Sequence, residues 1–217
     1  MKKTLFALVL TISTLAQAAL LTYEAGDKKL NDVVLQKAAV VNDPAGKPTA
    51  LRMDLLGAGL RTKTVLVVEA KVYTLQLFSD NKAGFSRDAN ALASLVRSSN
   101  RVTLKLDMLR TVSASSLSGS LKDALTANGY AIDAELTNVL AIFDKSAEAT
   151  QGKSISVLLV KDAAKNKTNM YFEDTKGAQQ SMVGSPELMT KILAIWLGKP
   201  VDDGIAKLKN SLMAPVY

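Results

Sequence analysis

The 217-residue chain contains neither cysteine nor histidine. Without cysteine there are no disulfides, thiolate nucleophiles, zinc fingers or Cys-ligated iron–sulfur clusters. Without histidine there is no Ser-His-Asp relay, no zincin motif, no His-ligated haem and no side chain whose ordinary pKa lies near neutrality. Aromatic residues are few, at 5%, and dispersed, which argues against a base-stacking nucleic-acid surface. Any catalysis must come from Asp, Glu, Lys, Arg, Tyr, Ser or Thr. The adjacent acids Asp202 and Asp203 fit the N-terminus of a helix better than a cation site, so neither metal nor cofactor is implied. What remains is an ordinary globular composition, 48% hydrophobic and 22% charged, with a formal charge of +7.

Long apolar runs are also missing after the first turn of the sequence. Met1-Lys2-Lys3, the apolar stretch Leu5–Leu15 and the small residues of Ala16-Gln17-Ala18 form the three parts of a secretory signal peptide over residues 1–18. Cleavage after Ala18 is expected, leaving residues 19–217 as a single domain that is exported and periplasmic. Removal of Lys2 and Lys3 with the leader takes the formal charge from +7 to +5. No later stretch reaches the roughly 18 apolar residues of a membrane-spanning helix.

The rest of the chain reads as α+β. Val33–Val41 and Ala50–Leu56 have strand character on either side of a turn at Asn42–Gly46. The β-rich run Thr62–Phe78 is too long for one straight strand, so a bend or hairpin is expected near Val67–Ala70. Arg101–Leu109 alternates, with Val102, Leu104, Leu106 and Met108 directed inward and Thr103, Lys105 and Asp107 outward. Helical patterns occupy Asp88–Ser98, Ser113–Asn128 and 131–145, and a hairpin joins Ser154–Val160 to Thr168–Phe172. Ser185 is expected to cap a helix running to Leu197, and Asp202–Met213 forms a last one. Helices packed on one face of an antiparallel sheet satisfy this order.

Three segments in register carry a resemblance: Leu56-Gly57-Ala58-Gly59-Leu60-Arg61, Lys71-Val72-Tyr73 leading to Leu77-Phe78, and Ile195-Trp196-Leu197-Gly198-Lys199-Pro200-Val201. Together they resemble the chalcone isomerase-like family, and within it the small exported bacterial branch, over essentially the whole mature chain. The resemblance implies an open-faced β-sandwich with an apolar cleft between sheet and helices. It also implies two functional groups: plant isomerases that close a flavanone ring without a cofactor, and fatty-acid-binding proteins that hold a carboxylate with an Arg and a Tyr.

Arg61 matches the Arg that follows the glycine-rich turn in both groups, and Tyr73 stands where the binders carry Tyr and the isomerases Thr. Taken alone, Arg61 reads as an Arg at a strand rim paired with a surface acid, a preference the resemblance reverses, and Tyr73 as a strand tyrosine whose hydroxyl reaches water. Twelve positions separate them, so they can share a ligand only if the chain folds back between them. The helix expected at Ser113–Asn128 has no Tyr, and its sole Asn is Asn128; Ser116 and Asp123 are the nearest polar substitutes for the isomerase Tyr and Asn. The favoured reading is a non-catalytic binder of a fatty acid or similar amphiphilic carboxylate, held by Arg61 and Tyr73. A buried Arg61 without its own anion would favour such carboxylates over neutral ligands. The alternatives are a cofactor-free lyase or isomerase on a small enolisable substrate, with Arg61 and Tyr73 as its polar groups, and an envelope interaction protein with a vestigial cleft. Trp196, amid Leu188, Ile192 and Ile195, is expected to pack in the core.

Overall fold

The expected hairpin dominates the architecture. The structure, a computed structural model, describes residues 18–65 and 67–216; the expected leader lies outside the described residues except for Ala18. β3 (Pro48–Val65) and β4 (Val68–Ser79) pair antiparallel to their ends, where Val65 faces Val68. With β1 (Leu21–Leu30), β2 (Val33–Asn42), β5 (Arg101–Met108), β6 (Ser154–Asp162), β7 (Lys167–Glu173) and β8 (Gln179–Gly184) they make one antiparallel sheet of eight strands. Each strand pairs only with its neighbours in the chain, in the order β1 to β8. Five helices accompany it: α1 (Ala91–Ser98), α2 (Ala114–Ala127), α3 (Ala134–Asp144), α4 (Leu188–Leu197) and α5 (Asp203–Met213). This is the α+β open-faced sandwich expected from the sequence.

Local chemistry sets the ends of these elements. Asn31 and Asp32, both at positive φ (50° and 65°), close the β1–β2 turn, a conformation that Asn and Asp tolerate best after glycine. Ser113, Asp133 and Asp202 accept backbone N–H bonds at the starts of α2, α3 and α5. Ser185 does not cap α4 as expected. Its N–H and hydroxyl both donate to Glu135 of α3, which also receives Lys191, and α4 instead begins after Glu187 with no side-chain cap.

The larger core lies between sheet and helices. Leu75 and Leu77 of β4, Leu104 and Leu106 of β5 and Val157 of β6 meet Leu121, Phe143, Ile192, Leu193 and Trp196 there. The strand β5 corrects the sequence reading: its alternate face is not solvated, since Thr103, Lys105 and Asp107 are 0%, 8% and 9% exposed. The N-terminal hairpin β1–β2 covers that face. Leu21, Leu35, Met53, Leu55, Phe78 and Leu158 form a second apolar cluster beneath it, and the Tyr23 hydroxyl meets Ser156 at 2.9 Å. Lys105 and Asp107 are satisfied by each other, by Ser154 and by Gln76, whose side-chain oxygen also accepts from the Gln36 backbone of β2. Buried charges persist only when paired and hydrogen-bonded, and these are.

The glycines of the Leu56–Arg61 segment have a packing role. A Cβ at Gly57 would stand 1.9 Å from the Leu212 carbonyl oxygen, and one at Gly59 2.6 Å from Leu208 Cδ1. From the helix side, a Cβ at Gly204 would stand 1.9 Å from the Thr62 carbonyl oxygen. α5 therefore lies backbone to backbone on β3, an approach open only to residues without a side chain.

Candidate functional site

The pairing of β3 with β4 answers the condition set by the sequence: Arg61 and Tyr73 are direct cross-strand partners. A bulge between Arg61 and Thr62 breaks the ladder there, as bulges do where a strand re-aims a side chain. Both residues line a cavity of about 270 Å³ between β3–β4 and the helices α2, α4 and α5. Its apolar walls come from Val72, Leu117, Leu121, Ala124, Ile195 and Ile205, and its polar edge from Ser113, Ser116 and Ser120 of α2 with Lys63 and Arg110. Of the two substitutes weighed from the sequence, Ser116 lines the cavity and Asp123 is exposed outside it.

Tyr73 is 5% exposed, and its hydroxyl accepts a hydrogen bond of 2.9 Å from the indole Nε1–H of Trp196. Trp196 is thus core packing, as expected, and also the orienter of Tyr73. Burial pushes the Tyr73 phenol above its ordinary pKa, outweighing the Trp196 hydrogen bond and the Arg61 charge that lower it. The phenol keeps its proton at neutral pH and can donate it to an acceptor in the cavity.

This contact makes a test available. Tyr73→Phe leaves the Trp196 N–H with no acceptor in the core and is expected to cost about 1–3 kcal/mol. Trp196 is the only tryptophan, so its fluorescence reports the change directly. Denaturant unfolding of the variant, with an unshifted native emission and unchanged stability, would contradict the assigned bond.

Arg61 is 6% exposed and already paired with an acid, as in the reading of Arg61 taken alone and unlike the unpaired anchor the resemblance implies. Its Nη1 and Nη2 donate to the two carboxylate oxygens of Asp202, each at 2.6 Å, and Nη1 also donates to the Thr62 carbonyl. Burying a guanidinium alone is costly, so the fold supplies a partner from 141 positions away. Asp202 simultaneously accepts from the Ile205 N–H and so caps α5, the helix-start role read from the sequence. Three of the five N–H donors of Arg61 are engaged in this way. At the rim, Lys63 and Arg110 are exposed, and their side chains have no hydrogen bond or ion pair among the described residues. The positive charge offered at the mouth is theirs, while that of Arg61 is balanced. The structure brings the two candidates of the sequence, Arg61 and Tyr73, together at one cavity, and adds what the sequence did not show: the pairing of Asp202 with Arg61, the place of Arg110 at the rim and the orienting role of Trp196. No metal-ligating cluster of three or more acids occurs among the described residues.

The amino-acid sequence matches the family described as chalcone isomerase-like over residues 28–214. No curated protein matches it in sequence. Among solved structures, a fatty-acid binding protein of Arabidopsis thaliana is similar, with a TM-score of 0.55 at 16% identity, over 80% of this chain and 96% of that one. At that identity the likeness speaks for the fold alone.

Proposed function

We propose, from the premise that this chain belongs to the chalcone isomerase-like family, that it binds a fatty acid or similar amphiphilic carboxylate without turning it over. The observation that carries the reading is the placement of Arg61 beside Tyr73 in one cavity that has apolar walls and a polar edge. Apolar walls with a few convergent polar groups are the usual design of small-ligand sites. The Tyr73 hydroxyl and the remaining Arg61 donors would hold one carboxylate, with Lys63 and Arg110 balancing its charge beside Asp202. The similar Arabidopsis structure, whose title names it a fatty-acid binding protein, supports this class of ligand. The signal-like leader supports export and action in the periplasm.

The cavity volume limits the ligand. At about 30 Å³ per water-sized group, 270 Å³ accommodates about nine non-hydrogen atoms. Affinity for straight-chain carboxylates is therefore expected to rise about fourfold per methylene up to about seven carbons, and to flatten beyond that. Native mass spectrometry of the purified chain, organic extraction of what it carries and calorimetric titration across chain lengths test this together. A co-purifying acyl carboxylate, or saturable uptake with that length profile, supports the reading. An empty protein that takes up no carboxylate of any length sinks it.

A further inference from the structure

The β3–β4 hairpin continues past the cavity and carries at its tip two valines, Val67 and Val68, that no described residue covers. Val67 is 95% exposed and Val68 66%, the two most exposed large hydrophobic residues described. Singly exposed apolar residues need no explanation, but adjacent valines at the tip of a projecting hairpin form a wedge. The flanks of that wedge are basic. Lys63 and Lys71, on the two strands just behind the tip, are exposed and without an ion pair among the described residues. The one acid between Lys63 and Lys71, Glu69, is already paired with Lys207. Lys63 also lines the cavity mouth, and only two positions, about 7 Å of strand, separate it from Val65 at the hairpin's last pair.

We propose that this tip inserts into the surface of an anionic phospholipid bilayer, setting the mouth of the cavity against the membrane. An apolar point ringed by unpaired lysines matches the layering of such a surface, with headgroup phosphates outside and acyl chains beneath. The unpaired charge near the tip is of one sign, so the complementarity is to an anionic lipid surface. A second copy of this chain, which presents the same basic flanks, would be repelled. The contact itself stands apart from the ligand. Its use, to exchange an amphiphile between bilayer and cavity without crossing water, rests on the binding reading given above.

Sedimentation with vesicles tests the contact on the empty chain. Binding is expected to vesicles of phosphatidylcholine mixed with phosphatidylglycerol, to weaken with added salt, and to be far weaker on pure phosphatidylcholine. The double variant Val67→Ser/Val68→Ser changes only exposed side chains and is expected to lower vesicle affinity about tenfold. Its affinity for a soluble carboxylate is expected to be unchanged. Absence of binding to the mixed vesicles, or equal binding by the double variant, overturns the proposal. So does self-association of the parent chain that the double variant abolishes, because the tip then belongs to a second copy. Failure of the ligand reading is separately visible: neither chain would take up carboxylate while vesicle binding persisted.

Discussion

Gly57→Ala is expected to destabilise the protein by about 3 kcal/mol, at the upper end of what overpacking costs. The new methyl would stand 1.9 Å from the Leu212 carbonyl oxygen, a backbone atom that cannot rotate aside. Relief requires α5 to move off β3 as a unit, and α5 carries Ile205 and starts at Asp202, so the cavity wall and the partner of Arg61 move with it. The melting temperature should fall by about 6–12 °C for a chain of this size. Gly119→Ala is the internal control. That residue lies within α2 with nothing near its added Cβ, and it should gain about 0.8 kcal/mol from helix propensity. Scanning calorimetry of both variants decides the matter: if Gly57→Ala melts with the parent chain, the close seating of α5 is wrong.

The second large effect concerns the counter-ion. Asp202→Ala removes the anion from a guanidinium that is 6% exposed and also uncaps α5. Breaking a buried pair from that side should cost about 3 kcal/mol, with about 1 more for the lost cap. Removing the other partner is milder, because the Asp202 side chain is 39% exposed and can return to water. Ligand affinity should move in opposite directions. In Asp202→Ala the carboxylate of a fatty acid would become the sole anion of Arg61, and binding should tighten about tenfold, whereas Arg61→Met should weaken it by at least as much. Calorimetry with octanoate measures both, and equal affinities in the two variants would remove Arg61 from the site.

A pH dependence follows from the same carboxylate. Burial acts to raise the Asp202 pKa, but the hydrogen bonds from Arg61 and the Ile205 N–H outweigh it and hold it below the usual 3.8. A depressed folded pKa gives stability that is fully present above the unfolded value and is lost as pH falls through the folded one. Below about pH 4 the parent chain should therefore lose stability more steeply than Asp202→Ala.

Much of this was legible in the residues, and what was not has particular causes. The β3–β4 hairpin was forced by length: a β-rich run from Thr62 to Phe78 had to double back, and doing so places Arg61 against Tyr73. Leu136, Val139, Leu140 and Phe143 on α3 are buried as their spacing required. Lys105 and Asp107 were misread because alternation records only which face is apolar. It carries no sign that Gln36 and Tyr23, from a hairpin far earlier in the chain, cover the polar one. β1 and β8 went unmarked because Glu24–Lys29 and Gln179–Ser181 are polar and sit at the two sheet edges, where pairing on one side and burial are both limited. The bond between Asp202 and Arg61 spans 141 positions, and neither residue's neighbours betray it.

The strictly sequential strand order bears on how the molecule comes together. Every rung of the sheet joins strands that are neighbours in sequence order, so β1–β4 and β6–β8 can grow by hairpins across short loops, while α1 and then α2–α3 intervene on either side of β5. The seating of α5 on Gly57 and Gly59, with Asp202 reaching Arg61, is the opposite kind of event: a closure across about two thirds of the sequence. Such non-local contacts form late and set the pace of folding. The cavity is therefore finished by the slowest step, and the same helix, departing alone, would open it while the sheet stayed intact.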